Sequence, residues 1–227
     1  DLQGPKLRVG EIEGGEIEIN PGDILTFTNE KVIGNKERIY VSYPDLHADV
    51  TLGNTILIND GRLEVKVTKI LKNNDVQVEV IMGGILSSKK GINLPDTKIS
   101  LPALTEKDLT DLDYIIEQKL DWVALSFVRN VKDLQILRSK LEVKKSKTKI
   151  IAKIEKPEAL ENLRDIIIES DAVMIARGDL GVELPVEKIP LLQKQIIRMC
   201  LHRAKPVIVA TQMMESMIEL NKPNRSE

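Results

Sequence analysis

Lys149-Ile150-Ile151-Ala152-Lys153-Ile154-Glu155-Lys156-Pro157-Glu158-Ala159-Leu160 passes from an apolar strand through a polar strand end into a helix. Lys149–Ile154 reads as a strand. Lys153 and Glu155 lie two residues apart and so share one side of it. Pro157 stands where a helix opens, a position at which its missing N–H is harmless, and Leu160, Leu163 and Ile167 give that helix an apolar stripe. The same unit repeats outward in both directions. Upstream, Thr105 caps a helix with Asp108 in its first turn, and Leu109, Leu112 and Ile116 share its apolar face. Trp122–Phe127 then reads as a buried strand and Val131–Leu141 as a helix. Downstream come a strand at Ala172–Ala176, a helix at about Val186–Arg203 and a strand at Pro206–Ala210. Strands alternating with helices through short links predict a parallel sheet. No G-x-G-x-x-G loop follows any strand, which weighs against a dinucleotide fold. Four strands are too few for a closed barrel, so residues 100–227 are expected to form an α/β structure, part of a (β/α)8 barrel.

Residues 9–99 follow another period. Glu16–Ile19, Leu63–Val67 and Asp75–Val80 alternate polar and apolar residues, and Ile24–Thr28 and Thr55–Ile58 read as further short strands. Turns at Asn20-Pro21-Gly22-Asp23, Asn59-Asp60-Gly61 and Lys72-Asn73-Asn74 separate them. Short strands with such turns predict a small antiparallel barrel or sandwich. Residues 1–8 read as the end of a barrel strand and a lead into this β-rich region.

The 227 residues are 42% apolar, 30% charged and only 3% aromatic, so the core is built from Ile, Leu, Val and Ala, which suits parallel strands under helices. A formal net charge of −2 gives no global basic field for nucleic acid or anionic lipid. No apolar run is long enough to span a membrane as a helix. The lone cysteine, Cys200, falls in an expected helix and reads as a buried thiol of a reducing, cytoplasmic setting. Asp1 opens directly into a Gly-Pro motif, and Pro223–Glu227 reads as the start of a helix, so the chain is expected to be a piece of a longer protein.

Chemistry on a barrel is carried at the C-terminal ends of its strands. Here those ends carry Ser126, then Lys153 with Glu155, then Arg177 with Asp179, then Thr211 with Gln212. Glu155 and Asp179 come from adjacent strands, and two carboxylate ligands suit Mg²⁺ or Mn²⁺. A lysine beside such an ion marks a place for an anionic group with spread charge. Gly178 leaves the backbone bare for a substrate carboxylate. Each residue has a plainer reading as well: Lys153–Glu155 as a rim ion pair, Asp179 as a capping residue, Thr211 as a strand-end hydroxyl bonded to backbone. Together on one rim they suggest metal-assisted chemistry on a small anion.

Five stretches resemble the pyruvate kinase family, in that family's order. Ile150–Leu160 is similar to its active-site signature. Met174-Ile175-Ala176-Arg177-Gly178-Asp179-Leu180-Gly181-Val182-Glu183 and Ala210-Thr211-Gln212-Met213-Met214-Glu215-Ser216-Met217 resemble two further hallmarks. Asp1-Leu2-Gln3-Gly4-Pro5-Lys6-Leu7-Arg8 is similar to the entry into the family's lid domain, and Lys89-Lys90-Gly91-Ile92-Asn93-Leu94-Pro95 to its exit. The resemblance implies a partial TIM barrel with an inserted β-barrel lid, and transfer of a phosphoryl group from phosphoenolpyruvate to ADP in glycolysis. It implies catalytic roles for Lys153, Arg177 and Thr211, with Mg²⁺ or Mn²⁺ on Glu155 and Asp179. It also implies substrate contacts from Ala176, Gly178 and Asp179, nucleotide contacts from Arg8, Asp60 and Lys90, and a homotetrameric parent. The family's N-terminal barrel strands, last barrel strand and C-terminal domain are missing from these 227 residues, so they are expected to turn over little or nothing alone. Two rivals remain open. One is a metal-dependent oxo-acid aldolase or lyase on a TIM barrel. The other is an oligonucleotide-binding small barrel, which Phe27, Tyr40 and Tyr43 furnish poorly with stacking surface.

Many family members need K⁺ and carry Thr, Lys and Glu where this chain has Leu2, Gln3 and Lys6, a pattern that resembles the K⁺-independent branch. The Lys6 ammonium can supply the single positive charge that a monovalent ion otherwise supplies; the plain alternative is a lysine pointing into solvent. The expected outcome is a parent enzyme whose steady-state rate is the same in K⁺-free and K⁺-containing buffer. Strong activation by K⁺ counts against this role for Lys6.

Overall fold

Apolar residues at every second position make strands of the chain's first half, and those residues form its core. The computed structural model describes residues 1–211 and 213–222; Gln212 and the expected helix start at Pro223–Glu227 lie outside the described residues. Contacts divide the chain into one unit spanning Pro5–Pro102 and another made of Asp1–Gly4 with the chain from Ala103 onward.

The Pro5–Pro102 unit contains β1 (Glu16–Ile19), β2 (Ile24–Thr28), β3 (Arg38–Tyr40), a short helix α1 (Leu46–Asp49), β4 (Thr55–Ile58), β5 (Leu63–Ile70), β6 (Val76–Met82), β7 (Gly84–Ser87) and β8 (Ile92–Asn93). Six strands pair in the order β3-β2-β6-β5-β4-β8, and β1 pairs with β7 separately. Alternate residues point into one core: Leu63, Val65 and Val67 of β5, Val76, Val78 and Val80 of β6, with Phe27, Ile56 and Tyr43. Asn59 and Asp60 adopt φ of 54° and 55°, and Gly61 78°, in the tight turn joining β4 to β5. The expectation of a purely antiparallel arrangement needs correction. β2 and β3 run parallel, with Thr26 opposite Arg38. The Arg38 guanidinium fastens that edge, donating to Asp75 Oδ2 at 3.2 Å, Thr28 Oγ1 at 2.9 Å and Glu30 Oε2 at 2.8 Å. β3 and β8 are too short to display a two-residue period, and β7, Gly-Ile-Leu-Ser, does not alternate; partners rather than pattern define all three.

The second unit contains α2 (Glu106–Glu117), β9 (Trp122–Leu125), α3 (Val131–Val143), β10 (Lys149–Ile154), α4 (Pro157–Glu161), α5 (Leu163–Glu169), β11 (Ala172–Ala176), α6 (Arg177–Glu183), α7 (Ile189–Leu201) and β12 (Val207–Ala210). The sheet is wholly parallel, with its strands in sequential order. Among the described strands the order does not reverse, so they are wound one way, as in part of a (β/α)8 barrel, rather than doubly wound. Val123, Leu125, Ile150, Ala152, Ile154, Val173 and Ile175 share a core with Leu134, Leu137, Ile166, Ile196 and Cys200 of the helices. The opposite sheet face carries Ala124, Ile151, Lys153 and Met174, all only partly buried. Leu2 extends the sheet, forming a parallel bridge to Leu125. No helix among the described residues is long and apolar enough to cross a membrane.

Several expectations shift. On α2 the buried positions are Asp108, Leu112 and Ile115, while Leu109 is 38% exposed. The face is rotated because Asp108 itself turns inward. The strand expected over Trp122–Phe127 stops at Leu125, and Trp122 lies 38% exposed at its start with Lys149 Nζ 5.1 Å from the ring centroid. The helix opened by Pro157 breaks at Asn162, whose amide donates to the carbonyls of Glu158 and Arg129 at 3.0 and 3.1 Å. The last long helix begins with a 3-10 turn at Val186–Lys188 and carries Pro190 in its first α-turn.

Asp108 joins the two separated parts of this unit. Its Oδ2 accepts from the Thr105 N–H at 2.8 Å and its Oδ1 from the Gly4 N–H at 3.2 Å, and Thr105 Oγ1 accepts from Asp108 N–H at 3.1 Å. Gly4 has φ +65°, and a Cβ there would meet the Ser126 carbonyl at 2.8 Å, so no other residue fits. Asp108→Ala removes a capping box and leaves buried N–H groups without acceptors. The expected cost is roughly 2–3 kcal/mol in urea unfolding. A loss under about 0.5 kcal/mol counts against the joint role of Asp108.

Candidate functional site

β10 delivers Lys153 and, one residue past its end, Glu155 to the C-terminal edge of the parallel sheet. Lys153 Nζ lies 2.9 Å from Glu155 Oε1, with side-chain exposures of 15% and 1%. The ammonium also donates to Ser126 Oγ at 2.9 Å and to Asp1 Oδ2 at 3.2 Å, and Ser126 Oγ donates to Asp1 Oδ1 at 3.3 Å. Residues from the chain's start, from the end of β9 and from β10 thus share one polar cluster.

The second oxygen of Glu155 accepts from the Phe127 N–H at 2.7 Å. Phe127 holds φ +53°, in the left-handed region that a bulky residue seldom enters. That turn aims the Phe127 N–H at the carboxylate instead of along the strand. Ionic and hydrogen bonds behind the turn fix it: Asp133 Oδ2 accepts from the Arg129 N–H at 2.9 Å, and Arg129 Nη2 lies 3.2 Å from Asp133 Oδ1.

Burial pushes the Glu155 carboxyl above the ordinary glutamate range. The Lys153 ammonium and the Phe127 N–H pull it back, and the charge of Asp179 pushes it further up. Asp179 sits in the first turn of α6, directly after β11, half-buried. The Asp179 charge therefore reaches Glu155 across adjacent strands. Such a donor set suits a divalent cation that keeps water or substrate oxygens in its remaining positions. Among the described residues no group of three or more His, Cys, Asp or Glu is placed to hold a metal ion.

β11 ends at Ala176, buried and paired in register with Ala210 of β12. Gly178 follows, exposed; a Cβ built on it would lie 3.8 Å from Thr211 Oγ1, so the hydroxyl and the bare Gly178 backbone are neighbours. Arg177 Nη2 donates to the Thr211 carbonyl at 2.5 Å, holding the end of β12 to the start of α6.

Arg8, Asp60 and Lys90 all belong to the β-rich unit and gather around one short segment of it. Arg8 forms an antiparallel bridge to Gly91, and its Nη1 donates to the Lys89 carbonyl at 3.1 Å. The Val9 N–H donates to the Lys90 carbonyl at 2.9 Å, and the Asn59 N–H beside Asp60 donates to the Gly91 carbonyl at 3.0 Å. Lys6 is exposed in the same unit.

The sequence alone did not single out Asp1 or Phe127. Asp1 heads the Gly-Pro motif and was the available signal. Phe127 offered none, because a left-handed backbone cannot be read from a phenylalanine. The α6 helix also escaped the sequence reading, since Arg-Gly-Asp-Leu-Gly places two glycines in a short segment.

The description "Pyruvate kinase, barrel domain" belongs to the family model that matches residues 1–227. A pyruvate kinase of Corynebacterium glutamicum is 43% identical over 227 residues, covering 100% of this chain and 48% of that protein. One from Geobacillus stearothermophilus is 42% identical over 229 residues and covered to 39%. The crystal structure of a pyruvate kinase from Cryptosporidium parvum superposes with a TM-score of 0.91 at 41% identity, covering all of this chain and 48% of that one. The chain thus spans about half the length of the relatives it matches.

Lys153→Met deprives Glu155 of its main counter-charge. A carboxyl whose folded-state pKa lies above its unfolded value binds its proton more readily when folded, so stability falls as pH rises between the two values. The variant widens that interval. It is expected to lose about 3–5 kcal/mol at pH 7, the cost of stranding a buried charge, and to regain much of the deficit at pH 5. Urea melts at the two pH values measure this; an equal deficit at both would show that Glu155 is not the stranded group.

Proposed function

Since the chain belongs to the pyruvate kinase family, we propose that it forms the phosphoryl-transfer site of a glycolytic phosphotransferase that converts phosphoenolpyruvate and ADP to pyruvate and ATP. The observation that carries this reading is the Lys153–Glu155 contact at 2.9 Å on the C-terminal rim of a parallel sheet, with Asp179 close enough to raise the Glu155 pKa. Phosphoryl transfer leaves the protein little covalent work; it needs positioning and charge opposite the oxygens of the group in flight.

Lys153 supplies a fixed positive charge for the transferring phosphoryl group, and Asp1 and Ser126 orient its ammonium. Glu155 and Asp179 are the proposed ligands of Mg²⁺ or Mn²⁺. When bound, that ion neutralises charge on the phosphoryl and enolate oxygens. The bare backbone at Gly178 and Asp179, at the end of the strand closed by Ala176, receives the substrate carboxylate. Thr211 stands beside the enolate carbon and organises the proton delivered there, held in place through its carbonyl by Arg177. In this reading the Pro5–Pro102 unit is the lid, with Arg8, Asp60 and Lys90 reaching the nucleotide. A closing lid excludes water, the competing phosphoryl acceptor. Lys6 takes the place of a monovalent cation, and the protein works as a tetramer in the cytoplasm.

In a full-length protein carrying these residues, pyruvate release from phosphoenolpyruvate is expected to require both ADP and a divalent cation. Lys153→Met is expected to lower kcat at least about 100-fold. The 227 residues alone are expected to show little or no turnover in the same assay. Pyruvate released from phosphoenolpyruvate without ADP would mean transfer to water and would overturn the reading; pyruvate released by carbon–carbon cleavage of a longer oxo acid, with none from phosphoenolpyruvate and ADP, would favour an aldolase or lyase.

A further inference from the structure

A second lysine–glutamate pair begins one residue past Glu155. Lys156 Nζ donates to Glu183 Oε1 at 2.5 Å, with side-chain exposures of 8% and 1%. Lys156 follows Glu155 in the chain. Glu183 is the last residue of α6, the helix whose first turn carries Gly178 and Asp179.

Burying two opposite charges is a poor way to gain stability, because desolvation consumes most of their attraction and a well-packed apolar pair serves as well or better. The pair does have a geometric consequence. A seven-residue helix has no stability of its own, so contacts must set its position. In α6 the fully buried Leu180 fixes the middle and Glu183 fixes the C-terminal end. The anchor that Glu183 meets is attached one residue beyond Glu155. Through it, the helix bearing Asp179 is tied to the strand end bearing Glu155, independently of the groups that face the reaction.

We propose that the Lys156–Glu183 ion pair is a positioning pair that sets the separation of the Glu155 and Asp179 carboxylates and hence the affinity of the rim for a divalent cation. This rests on the functional reading of those two carboxylates. Its test is Mn²⁺ affinity, followed by electron paramagnetic resonance with Mn²⁺ alone in a full-length protein carrying these residues. Loss of this tie, which acts through the backbone of the ligand-bearing segments, is expected to weaken Mn²⁺ binding about tenfold, on the scale of groups that orient metal ligands. That result is expected in Lys156→Met and equally in the neutral double variant Lys156→Met/Glu183→Leu, whose melting temperature stays near that of the unaltered protein. Lys156→Arg, which keeps the charge, restores affinity to within about twofold of the unaltered protein, a small loss on the scale of such partners. A folded double variant that binds Mn²⁺ as tightly as the unaltered protein overturns the proposal, because the pair then only neutralises itself. A double variant that fails to fold also overturns it, by making the pair a folding element. Absence of Mn²⁺ binding in the unaltered protein overturns the functional reading and this inference with it.

Discussion

A carboxylate removed from water must be met by positive charge and by N–H donors, and the rim of the parallel sheet is arranged around that requirement at Glu155. Its two oxygens are answered from different sides, one by Lys153 and one by the Phe127 N–H. Each answer draws in more of the chain. Lys153 leans on Ser126 and Asp1; the Phe127 turn leans on Arg129 and Asp133; the Ser126 carbonyl admits only glycine at position 4. Compensation is incomplete, since burial still holds the Glu155 pKa high and Asp179 adds to the strain. An under-compensated anion beside a second anion is a locus with unspent attraction for a cation, and that attraction underlies the proposed chemistry.

What could be read from the sequence was whatever is local. Capping of α2 by Thr105 and Asp108, the start of α4 at Pro157 and the strands β9 to β12 follow from short-range patterns, and each is present. The same holds for the alternating strands β1, β5 and β6, and for the short strands β2 and β4. Failures have a common cause, which is dependence on a distant partner. Leu109 is exposed because Asp108 turns inward to reach Gly4, far away in sequence. Asn162 interrupts a helix to reach the Arg129 carbonyl. Arg38 draws a three-residue segment into a parallel pairing that its own residues do not announce.

The site shows the same division. Residue type and strand-end position marked Lys153, Glu155, Asp179 and Thr211, because charged and hydroxyl groups stand out against Ile, Val and Ala. The backbone geometry that orients them did not show. A left-handed Phe127 looks like any other aromatic in the sequence, and the closeness of Gly178 to Thr211 exists only once β11 and β12 are side by side. The candidate site was legible as an inventory of side chains, while its geometry came from register.

The parallel unit is discontinuous in sequence: Asp1–Gly4 belong to it, and the chain rejoins it only at Ala103. Ser126 and Asp1 meet across 125 residues. Closing a flexible detour costs conformational entropy that grows only with the logarithm of its length, about 0.6 kcal/mol per doubling. A detour with its own core, as here, is not even flexible once folded. Enlarging, trimming or replacing the tips of its hairpins therefore leaves the closure term nearly untouched, so this excursion can diversify among descendants while the staves it interrupts keep their alignment.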